Sequence, residues 1–375
     1  MKKVALLGST GSVGTQALDV MRLHPDRFKV TALAADSNAL LLEEQVRAFR
    51  PDVALLAHPP SDYHPPEIPG VTWLMEETAD KVIGGCDTVL NAIVGAQGLA
   101  ASLETAKRGL RLCLANKESL VAGGALLMRE IGKSGAQLLP VDSEHSAIFQ
   151  CVEGKAERPV KLILTASGGP FRTWPSVRMK TVTPRQALTH PNWTMGKRIT
   201  TDSATMVNKA LEIVEAGWLF GMKAREIDVL VHPASIVHSM VKYRDGSVIA
   251  QMGIPDMRTP ILYALSYPDR LETGAPDFDL VAAGPQSFFH TDAQRFPALR
   301  LGYDVLRDGG VSGAVFNAAD EAAVDAFHAG RCGFLDIAML CEGALHAATP
   351  VSNPTLEDIL EADAFARRWV EQRLS

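Results

Sequence analysis

The opening part of the chain alternates short apolar runs with segments of helical spacing, and this alternation limits the fold more than any other feature. The apolar runs cover residues 4–7, 28–35, 53–57, 88–94 and 112–115. Helical spacing lies between them, at residues 15–23, 39–49 and 98–108. Strands and helices in alternation form a parallel sheet with helices on both faces. We therefore predict a doubly wound α/β domain over residues 1–141.

From about residue 142 the pattern changes to that of an α+β domain, which we predict over 142–270. Residues 161–165 have the composition of a strand, and residues 201–220 have the length and period of one helix. Two further apolar runs, 236–243 and 247–252, flank an Asp-Gly pair and predict a β-hairpin.

The rest of the chain is predicted to be a linker followed by helices. Residues 271–292 are rich in Gly, Pro, Asp and Phe without a clear period, which indicates a linker. Residues 293–375 have helical spacing and form the predicted C-terminal helical domain. Its last helix follows Thr355, which with Asp358 has the spacing of a capping box.

Charge and cysteine usage exclude several classes of function. The 375 residues include 37 basic and 43 acidic ones, a net charge of -6 that disfavours binding to nucleic acid or anionic membranes. Five scattered cysteines without a C-x-x-C pair favour reduced thiols in a cytoplasmic protein. No apolar run reaches about 18 residues, the usual spanning length.

A glycine-rich turn, Gly8-Ser9-Thr10-Gly11-Ser12-Val13-Gly14, lies between the first predicted strand and helix. Such a turn exposes backbone N–H groups at a helix N-terminus, where a dinucleotide pyrophosphate binds. The G-x-x-G-x-x-G spacing meets the usual fingerprint only approximately, and glycine turns also occur for steric reasons alone. Its place at the first turn of a doubly wound pattern favours the dinucleotide interpretation.

Two further polar segments follow predicted strands. Asp36 lies where an acid would bind an adenosine ribose diol, which points to NAD, but Asp36-Ser37-Asn38 could equally cap the next helix. Asn116-Lys117-Glu118-Ser119 follows the fifth strand, where polar groups face the binding crevice. A helix start explains the second segment as well, and both interpretations can hold together.

Asp142 and Glu144 are candidates for a divalent metal site. Two carboxylates at i and i+2 on an extended segment point to the same side and suit a cation that prefers oxygen ligands. Glu212 on the predicted helix 201–220 offers a third acid.

That helix carries one polar stripe, formed by Thr205, Asn208, Lys209 and Glu212, with Ser203 just before it. A solvated surface face would also explain it. An amide, an amine and an acid together instead fit a site that binds phosphate and metal side by side.

Residues 190–197 are polar and aromatic by turns and could form a lid. Trp193 and Met195 would exclude water from a ligand, and Gly196 would allow movement. A lone Trp in a loop is more often a packing anchor. Taken together, these segments predict a dinucleotide-dependent enzyme with a divalent metal and a phosphorylated substrate.

Several motifs in register resemble one family. They are Gly8 to Gly14, Leu114 to Leu120, Val141 to Ser146, Thr165 to Phe171, His190 to Gly196, Ser203 to Glu212, His232 to Met240, Pro255 to Pro260, and Phe316-Asn317-Ala318-Ala319. In these the chain resembles 1-deoxy-D-xylulose 5-phosphate reductoisomerase, over nearly its whole length. The resemblance implies a Rossmann-like N-terminal domain that binds NADPH, a catalytic and dimerisation domain, and a C-terminal helical bundle.

The resemblance also implies residue roles. The implied metal ligands are Asp142, Glu144 and Glu212; the implied phosphate contacts are Ser167, Ser203, Asn208 and Lys209; Ser143 and Lys117 would contact the rest of the substrate. The lid residues would be His190, Trp193 and Met195, and the implied NADPH contacts are Thr10, Gly11, Ser12, Val13, Asn38, Asn116, Glu118 and Gly196. Asp142, Glu144, Glu212, Lys117 and His190 would carry the catalysis.

The implied activity is isomerisation and NADPH-dependent reduction of 1-deoxy-D-xylulose 5-phosphate to 2-C-methyl-D-erythritol 4-phosphate, in the non-mevalonate isoprenoid pathway. The implied metal is Mg2+ or Mn2+, with Co2+ a further candidate, and the implied assembly is a homodimer. One departure is Asp36, because the family often has a basic residue near the adenosine 2′-phosphate.

The alternative is another NAD(P)-dependent oxidoreductase that acts on a phosphorylated aldehyde. A semialdehyde dehydrogenase would need a nucleophilic cysteine, for which Cys151 is the nearest candidate. A cofactor-binding regulator would have no use for three metal carboxylates.

Overall fold

The computed structural model describes residues 1–193 and 195–374, which form two compact units. The first unit contains Met1–Asn116, Leu127–Ser146 and Asp256–Pro276; the second contains Lys117–Leu126, Ala147–Pro255 and the residues from Asp277 onward. The functional domain boundaries given above stay predictions.

The first unit is built on a seven-stranded parallel sheet. Its strands are β1 Lys2–Leu7, β2 Phe28–Ala35, β3 Val53–Leu56, β4 Thr72–Met75, β5 Thr88–Asn91, β6 Arg111–Leu114 and β7 Leu138–Pro140. They lie in the order β4-β3-β2-β1-β5-β6-β7, and every neighbouring pair is parallel. The predicted doubly wound fold is therefore confirmed, with the reversal of strand order between β1 and β5. The five predicted apolar runs match β1, β2, β3, β5 and β6; β4, a half-buried edge strand, and the short β7 are additional.

Helices cover this sheet. They are Ser12–Leu23, Ala39–Phe49, Gly98–Lys107 and Arg258–Ser266, with a short 3-10 turn at Ala79–Val82. The helix Arg258–Ser266 packs against Ser12–Leu23, although more than 200 residues separate them in sequence. The Lys2 ammonium donates to the carbonyls of Leu265, Ser266 and Tyr267, each at 2.9 Å, which satisfies the C-terminal end of that helix.

Two helices span the sequence boundaries between the units: Lys117–Ser134, with non-helical backbone at Gly123, and Ser143–Val152. The second begins one residue after Asp142. The prediction that Asp142 and Glu144 share an extended segment is therefore wrong, because the strand ends at Pro140 and Glu144 lies in the first turn of a helix.

The second unit contains a mixed sheet of five strands. They are β8 Lys161–Ala166, β9 Ile227–Val231, β10 Val237–Lys242, β11 Val248–Met252 and β12 Phe289–His290, in the order β11-β10-β8-β9-β12. The predicted hairpin is β10 and β11, with Gly246 at a positive φ of 90° in its turn. The predicted linker contains the helix Leu280–Ala283, and its strand β12 pairs with β9.

The second unit contains further helices, and the last four of them form the C-terminal part. They are Ser176–Met179, Pro184–Ala187, Lys197–Thr205, Val207–Phe220, Ala298–Asp308, Ser312–His328, Asp336–Ala347 and Leu356–Leu374, with a 3-10 turn at Ala224–Glu226. The helical tail is as predicted, and Thr355 and Asp358 form the expected capping box. Among the described residues, no helix is long and apolar enough to cross a membrane.

The prediction of one helix over 201–220 is wrong. Two helices meet at Met206, whose backbone is left-handed with φ at 65°. The Thr205 hydroxyl accepts a hydrogen bond from the Val207 N–H at 3.3 Å, so a side chain replaces helical pairing at the corner. The polar stripe of the sequence is thereby divided between two helices.

Candidate active site

The glycine turn of the first unit is closely packed against the sheet. The N–H groups of Gly8 and Ser9 both donate to the Ala34 carbonyl at 2.8 Å, and Gly8 has a φ of 82°. A Cβ atom on Gly14 would lie 2.3 Å from the Gly8 oxygen, whereas one on Gly11 would lie 3.4 Å from it. The helix then begins at Ser12, just after Thr10 and Gly11. The N–H groups of its first residues, among them Val13, have no acceptor within the helix. This turn therefore suits an anionic cofactor group.

The end of β2 has two distinct features. Asn38 caps the helix Ala39–Phe49 by accepting from the Leu41 N–H at 3.2 Å, so the capping interpretation of this segment is confirmed for Asn38. Asp36 is exposed, and its carboxylate lies 2.7 Å from Nδ1 of His58, which follows β3. His58 belongs to no sequence motif, because only the parallel pairing of β2 with β3 brings it to Asp36.

Asn116 supports the loop that follows β5. Its side-chain amide donates to the carbonyls of Ile93 at 2.5 Å and Gly95 at 2.7 Å, and the side chain is buried. A Cβ atom on Gly98 would lie 2.9 Å from the Asn116 side chain. The amide therefore fixes the loop between β5 and the helix Gly98–Lys107.

Asp142, Ser143 and Glu144 form a compact group in the first unit. The Asp142 carboxylate accepts from the Glu144 N–H at 3.1 Å, and Ser143 donates its hydroxyl to Glu144 at 2.7 Å. His145 Nδ1 lies 3.4 Å from the same Asp142 carboxylate. Two carboxylates thus lie at the start of one helix. Hard cations prefer carboxylate oxygens as ligands, so this pair is a candidate for part of a metal site.

A buried ionic network is the core of the candidate site in the second unit. Glu212, which is 1% exposed, accepts from Lys209 at 2.5 Å and Asn208 at 2.6 Å, and lies 3.3 Å from Lys117 Nζ. Lys117 also donates to Asn208 at 2.9 Å, and Lys209 to the Thr165 carbonyl at 2.5 Å. The predicted residues Lys117, Asn208, Lys209 and Glu212 are thus brought together.

Ser203 lies on the other side of the Met206 corner. A Cβ atom on Gly169 would lie 2.8 Å from the Ser203 carbonyl oxygen, so the Gly168-Gly169 loop approaches this helix directly. That loop also carries Ser167. The corner and the glycine loop together place Ser203 and Ser167 on neighbouring backbone segments.

His190 organises the start of the predicted lid and is neutral. Its Nδ1 accepts from the N–H groups of Asn192 at 3.1 Å and Trp193 at 3.0 Å, and its Nε2 lies 3.0 Å from the Ser167 hydroxyl. Burial lowers the pKa of His190 to about 4. Nδ1 therefore carries the lone pair, and Nε2–H donates to Ser167. Because Ser167 also accepts from the Gly169 N–H at 3.2 Å, its own proton points elsewhere.

Two contacts that were not predicted from the sequence hold the ends of the lid. Asn192 donates its side-chain amide to the Pro233 carbonyl at 2.7 Å and the Ser235 hydroxyl at 2.8 Å. At the other end, Gly196 is the N-cap of the helix Lys197–Thr205, and its carbonyl accepts from the Thr200 hydroxyl at 2.7 Å. Met195 lies between these ends; Thr194 lies outside the described residues. No sequence motif signals either contact.

The cysteines do not form a nucleophilic site. Burial raises the pKa of Cys151 to about 11, so this thiol is protonated at neutral pH. A dehydrogenase nucleophile needs the opposite shift. The semialdehyde dehydrogenase alternative thus loses its nearest candidate residue.

Comparisons with known proteins decide the family. Models described as 1-deoxy-D-xylulose 5-phosphate reductoisomerase, its C-terminal domain and DXP reductoisomerase C-terminal domain match residues 4–124, 138–220 and 252–369 respectively. The reductoisomerase of Paraburkholderia phytofirmans is 48% identical over 384 residues, covering 98% of this chain and 94% of that protein. The chain belongs to the 1-deoxy-D-xylulose 5-phosphate reductoisomerase family. The Geobacter metallireducens reductoisomerase is also 48% identical, with 98% and 97% coverage.

Solved reductoisomerase structures have the same fold. The Zymomonas mobilis reductoisomerase, in complex with NADPH, has a TM-score of 0.93 at 41% identity and covers 100% of this chain and 99% of its own. A reductoisomerase in complex with NADPH, fosmidomycin and magnesium also has a TM-score of 0.93, at 36% identity, with 100% and 98% coverage. The resemblance stated from the motifs is therefore confirmed.

Proposed function

We propose that this chain isomerises 1-deoxy-D-xylulose 5-phosphate and reduces the product with NADPH to 2-C-methyl-D-erythritol 4-phosphate, in the non-mevalonate isoprenoid pathway. The observation that carries the proposal is the buried network of Glu212 with Lys117, Asn208 and Lys209. An acid with two ammonium groups and an amide beside it offers both a cation ligand and phosphate donors. A reductase without a metal step would not need that acid.

We assign the metal to Asp142, Glu144 and Glu212, as the family resemblance implies. All three are carboxylates, the donor type that Mg2+ or Mn2+ prefers, and Co2+ remains a further candidate. When bound, the cation would supply Lewis-acid polarisation of the substrate ketone. Solved relatives contain magnesium, which supports this choice.

We assign the substrate phosphate to Ser167, Ser203, Asn208 and Lys209. The Ser167 proton is directed away from His190 and Gly169, because both of these already donate to its oxygen. Ser167 is therefore preset to donate to an anion. Ser143 and Lys117 would contact the rest of the substrate, with the Lys117 ammonium oriented by Asn208 and Glu212.

We assign NADPH to the glycine turn and the neighbouring polar residues: Thr10, Gly11, Ser12, Val13, Asn38, Asn116, Glu118 and Gly196. A Cβ atom would lie 2.3 Å from backbone at Gly14 and 2.5 Å from backbone at Gly8, so only glycines allow this closely packed turn. A glycine-rich turn of this kind fits a pyrophosphate, because backbone can approach the phosphates closely. The bound nicotinamide would supply hydride. His190, Trp193 and Met195 would close over the substrate and exclude water.

We further propose a homodimer in the cytoplasm. Five cysteines without a disulfide fit a reducing compartment, and the relatives are bacterial reductoisomerases. Nucleic acid and membranes are not proposed partners, given the net charge of -6.

The proposed function predicts metal-dependent oxidation of NADPH. Purified protein treated with a chelator should show no loss of NADPH absorbance with 1-deoxy-D-xylulose 5-phosphate, and added Mn2+ or Mg2+ should restore it. Chelated protein that oxidises NADPH at the same rate would contradict the metal assignment. If folded, metal-loaded protein does not oxidise NADPH with 1-deoxy-D-xylulose 5-phosphate, the assignment of this substrate is contradicted. That result would favour the alternative of a phosphorylated aldehyde.

Asp36 and His58 are predicted to tune the choice between NADPH and NADH. The imidazole at 2.7 Å provides a hydrogen-bond partner for a carboxylate that would otherwise be free to repel the adenosine 2′-phosphate. His58→Ala should weaken NADPH binding and Asp36→Asn should strengthen it, each by about threefold because both side chains are exposed. Fluorescence titration with both nucleotides measures this.

Asp52→Asn is the control for that pair, since Asp52 makes a similar exposed pair with Lys29, which lies near the start of β2. The affinity for NADH, which has no 2′-phosphate, should hardly change in His58→Ala or in Asp36→Asn. Equal shifts for NADPH and NADH would show that the pair has no part in specificity.

A further inference from the structure

We infer that Arg198 is a positioning residue that fixes the C-terminal end of the lid, residues 190–197, to the helix Ser312–His328. The inference rests on the proposed function, which gives the lid its substrate. Arg198 is the second residue of the helix Lys197–Thr205 and follows the lid directly.

The Arg198 guanidinium connects three separate parts of the second unit. Its nitrogens lie 2.5 Å from a Glu321 oxygen and 2.8 Å from the Asn317 oxygen, both on the helix Ser312–His328. They also lie 3.4 Å from Asp320 on that helix and 3.2 Å from Glu118, next to Lys117. The contact with Asp202 at 3.6 Å is within its own helix.

This Arg198 cluster differs from an exposed ion pair. The Arg198 side chain is 17% exposed, and Asp202 and Asp320 are buried. Burial raises the pKa of both carboxyls, with their mutual repulsion adding to the rise for Asp202. Removing the Arg198 cation would leave the buried carboxylates Asp202 and Asp320 without this partner, and such losses are large when the groups are buried.

Among the described residues, the ion-pair partners of Arg198 are all acids. A second arginine, Arg367 on the helix Leu356–Leu374, also contacts Glu321 and pairs with Asp363 at 2.7 Å. Arg367 is 40% exposed, and its hydrogen bonds and ion pairs with described residues go to Glu321 and Asp363, not to the helix that follows the lid. It is therefore a matched control: an arginine bound to the same acid without a link to the lid.

The lid is thus attached at both ends. His190 and Asn192 hold its start through Ser167, Pro233 and Ser235, and Arg198 holds its end. Trp193 and Met195 lie between the two attachments, so their positions depend on both. The C-terminal helices, which carry no proposed substrate contact, acquire a role in catalysis through this attachment.

The test compares Arg198→Met and Arg198→Lys with Arg367→Met in the full-length protein. Arg198→Met should raise KM for the substrate about tenfold and speed chymotryptic cleavage after Trp193 about tenfold, because local opening governs such cleavage. Arg198→Lys keeps the charge and should restore part of both effects. Arg367→Met should match the wild type in KM and in the rate of lid cleavage.

Equal effects in Arg198→Met and Arg367→Met would overturn the inference, since both would then report general loss of helix packing. If Arg198→Met does not fold, Asp320→Asn serves instead, and it should speed lid cleavage with a smaller change in KM. Cleavage of the protein without ligand tests the attachment alone. A wild type without turnover would therefore contradict the proposed function and leave the cleavage comparison decisive for Arg198.

Discussion

Glu212→Gln is expected to lower kcat by about a thousandfold, because a Lewis acid contributes several kcal/mol and each tenfold costs about 1.4 kcal/mol. The variant keeps an amide oxygen but loses the charge that a divalent cation requires. The affinity for NADPH should stay within about twofold of the wild type, since the glycine turn proposed to bind NADPH does not include Glu212. Mn2+ titration by electron paramagnetic resonance and NADPH fluorescence measure the two affinities.

The same substitution changes the protein itself. Lys117 and Lys209 are both buried and lose their shared carboxylate, so the free energy of unfolding should fall. Thermal unfolding is therefore measured alongside. Glu226→Gln is the matched control, because Glu226 makes a pair with Arg158 away from the site. It should leave turnover and Mn2+ affinity at wild-type values.

A parallel loss of NADPH and Mn2+ affinity in Glu212→Gln would contradict the assignment, because it would indicate a collapsed site. Unchanged Mn2+ affinity with lost turnover would remove Glu212 from the metal ligands. It would then be a group that orients Lys117 and Lys209.

Gly14→Ala is expected to weaken NADPH binding by about a hundredfold, on the scale of the loss in rate that a misplacement of about 1 Å can cause. The new methyl would lie 2.3 Å from the Gly8 oxygen and 2.6 Å from Ser9, and both of these are backbone. The turn must move, because no flexible side chain can yield. Overpacking should also lower the stability of the first unit by about 1–3 kcal/mol.

Gly11→Ala is the control, with the same added methyl at 3.4 Å from its nearest contact. Its backbone φ of -78° is one that alanine adopts. The control should fold with wild-type thermal stability. If Gly14→Ala bound NADPH as the wild type does, the turn would not be the pyrophosphate site.

The strands of the first unit could be predicted because each is a short, almost continuous apolar run. Runs such as Phe28–Ala35 are buried along nearly their whole length, which is typical of parallel sheets. Strand β4 was missed because its residues are only half-buried at the sheet edge, so its pattern is weak. The Met206 break was missed because a single left-handed residue does not disturb helical periodicity.

The residue types of the site could be predicted, but its connections could not. Glu212, Asn208 and Lys209 share a helix, so their proximity follows from spacing. The contacts of Arg198 with Glu321 and of Asp36 with His58 join residues that are 123 and 22 positions apart. No local pattern encodes such pairs, because they depend on how the elements pack.

The helix Arg258–Ser266 has a consequence for how the protein is made. It completes the first unit through the bonds of Lys2 to Leu265, Ser266 and Tyr267, and Arg111 donates to the Tyr267 carbonyl at 3.0 Å. During synthesis, the side of the sheet that this helix covers therefore stays exposed until residues 258–266 have left the ribosome, when well over half of the chain has been made. A premature stop in that interval would release a cofactor domain whose exposed flank is open to aggregation.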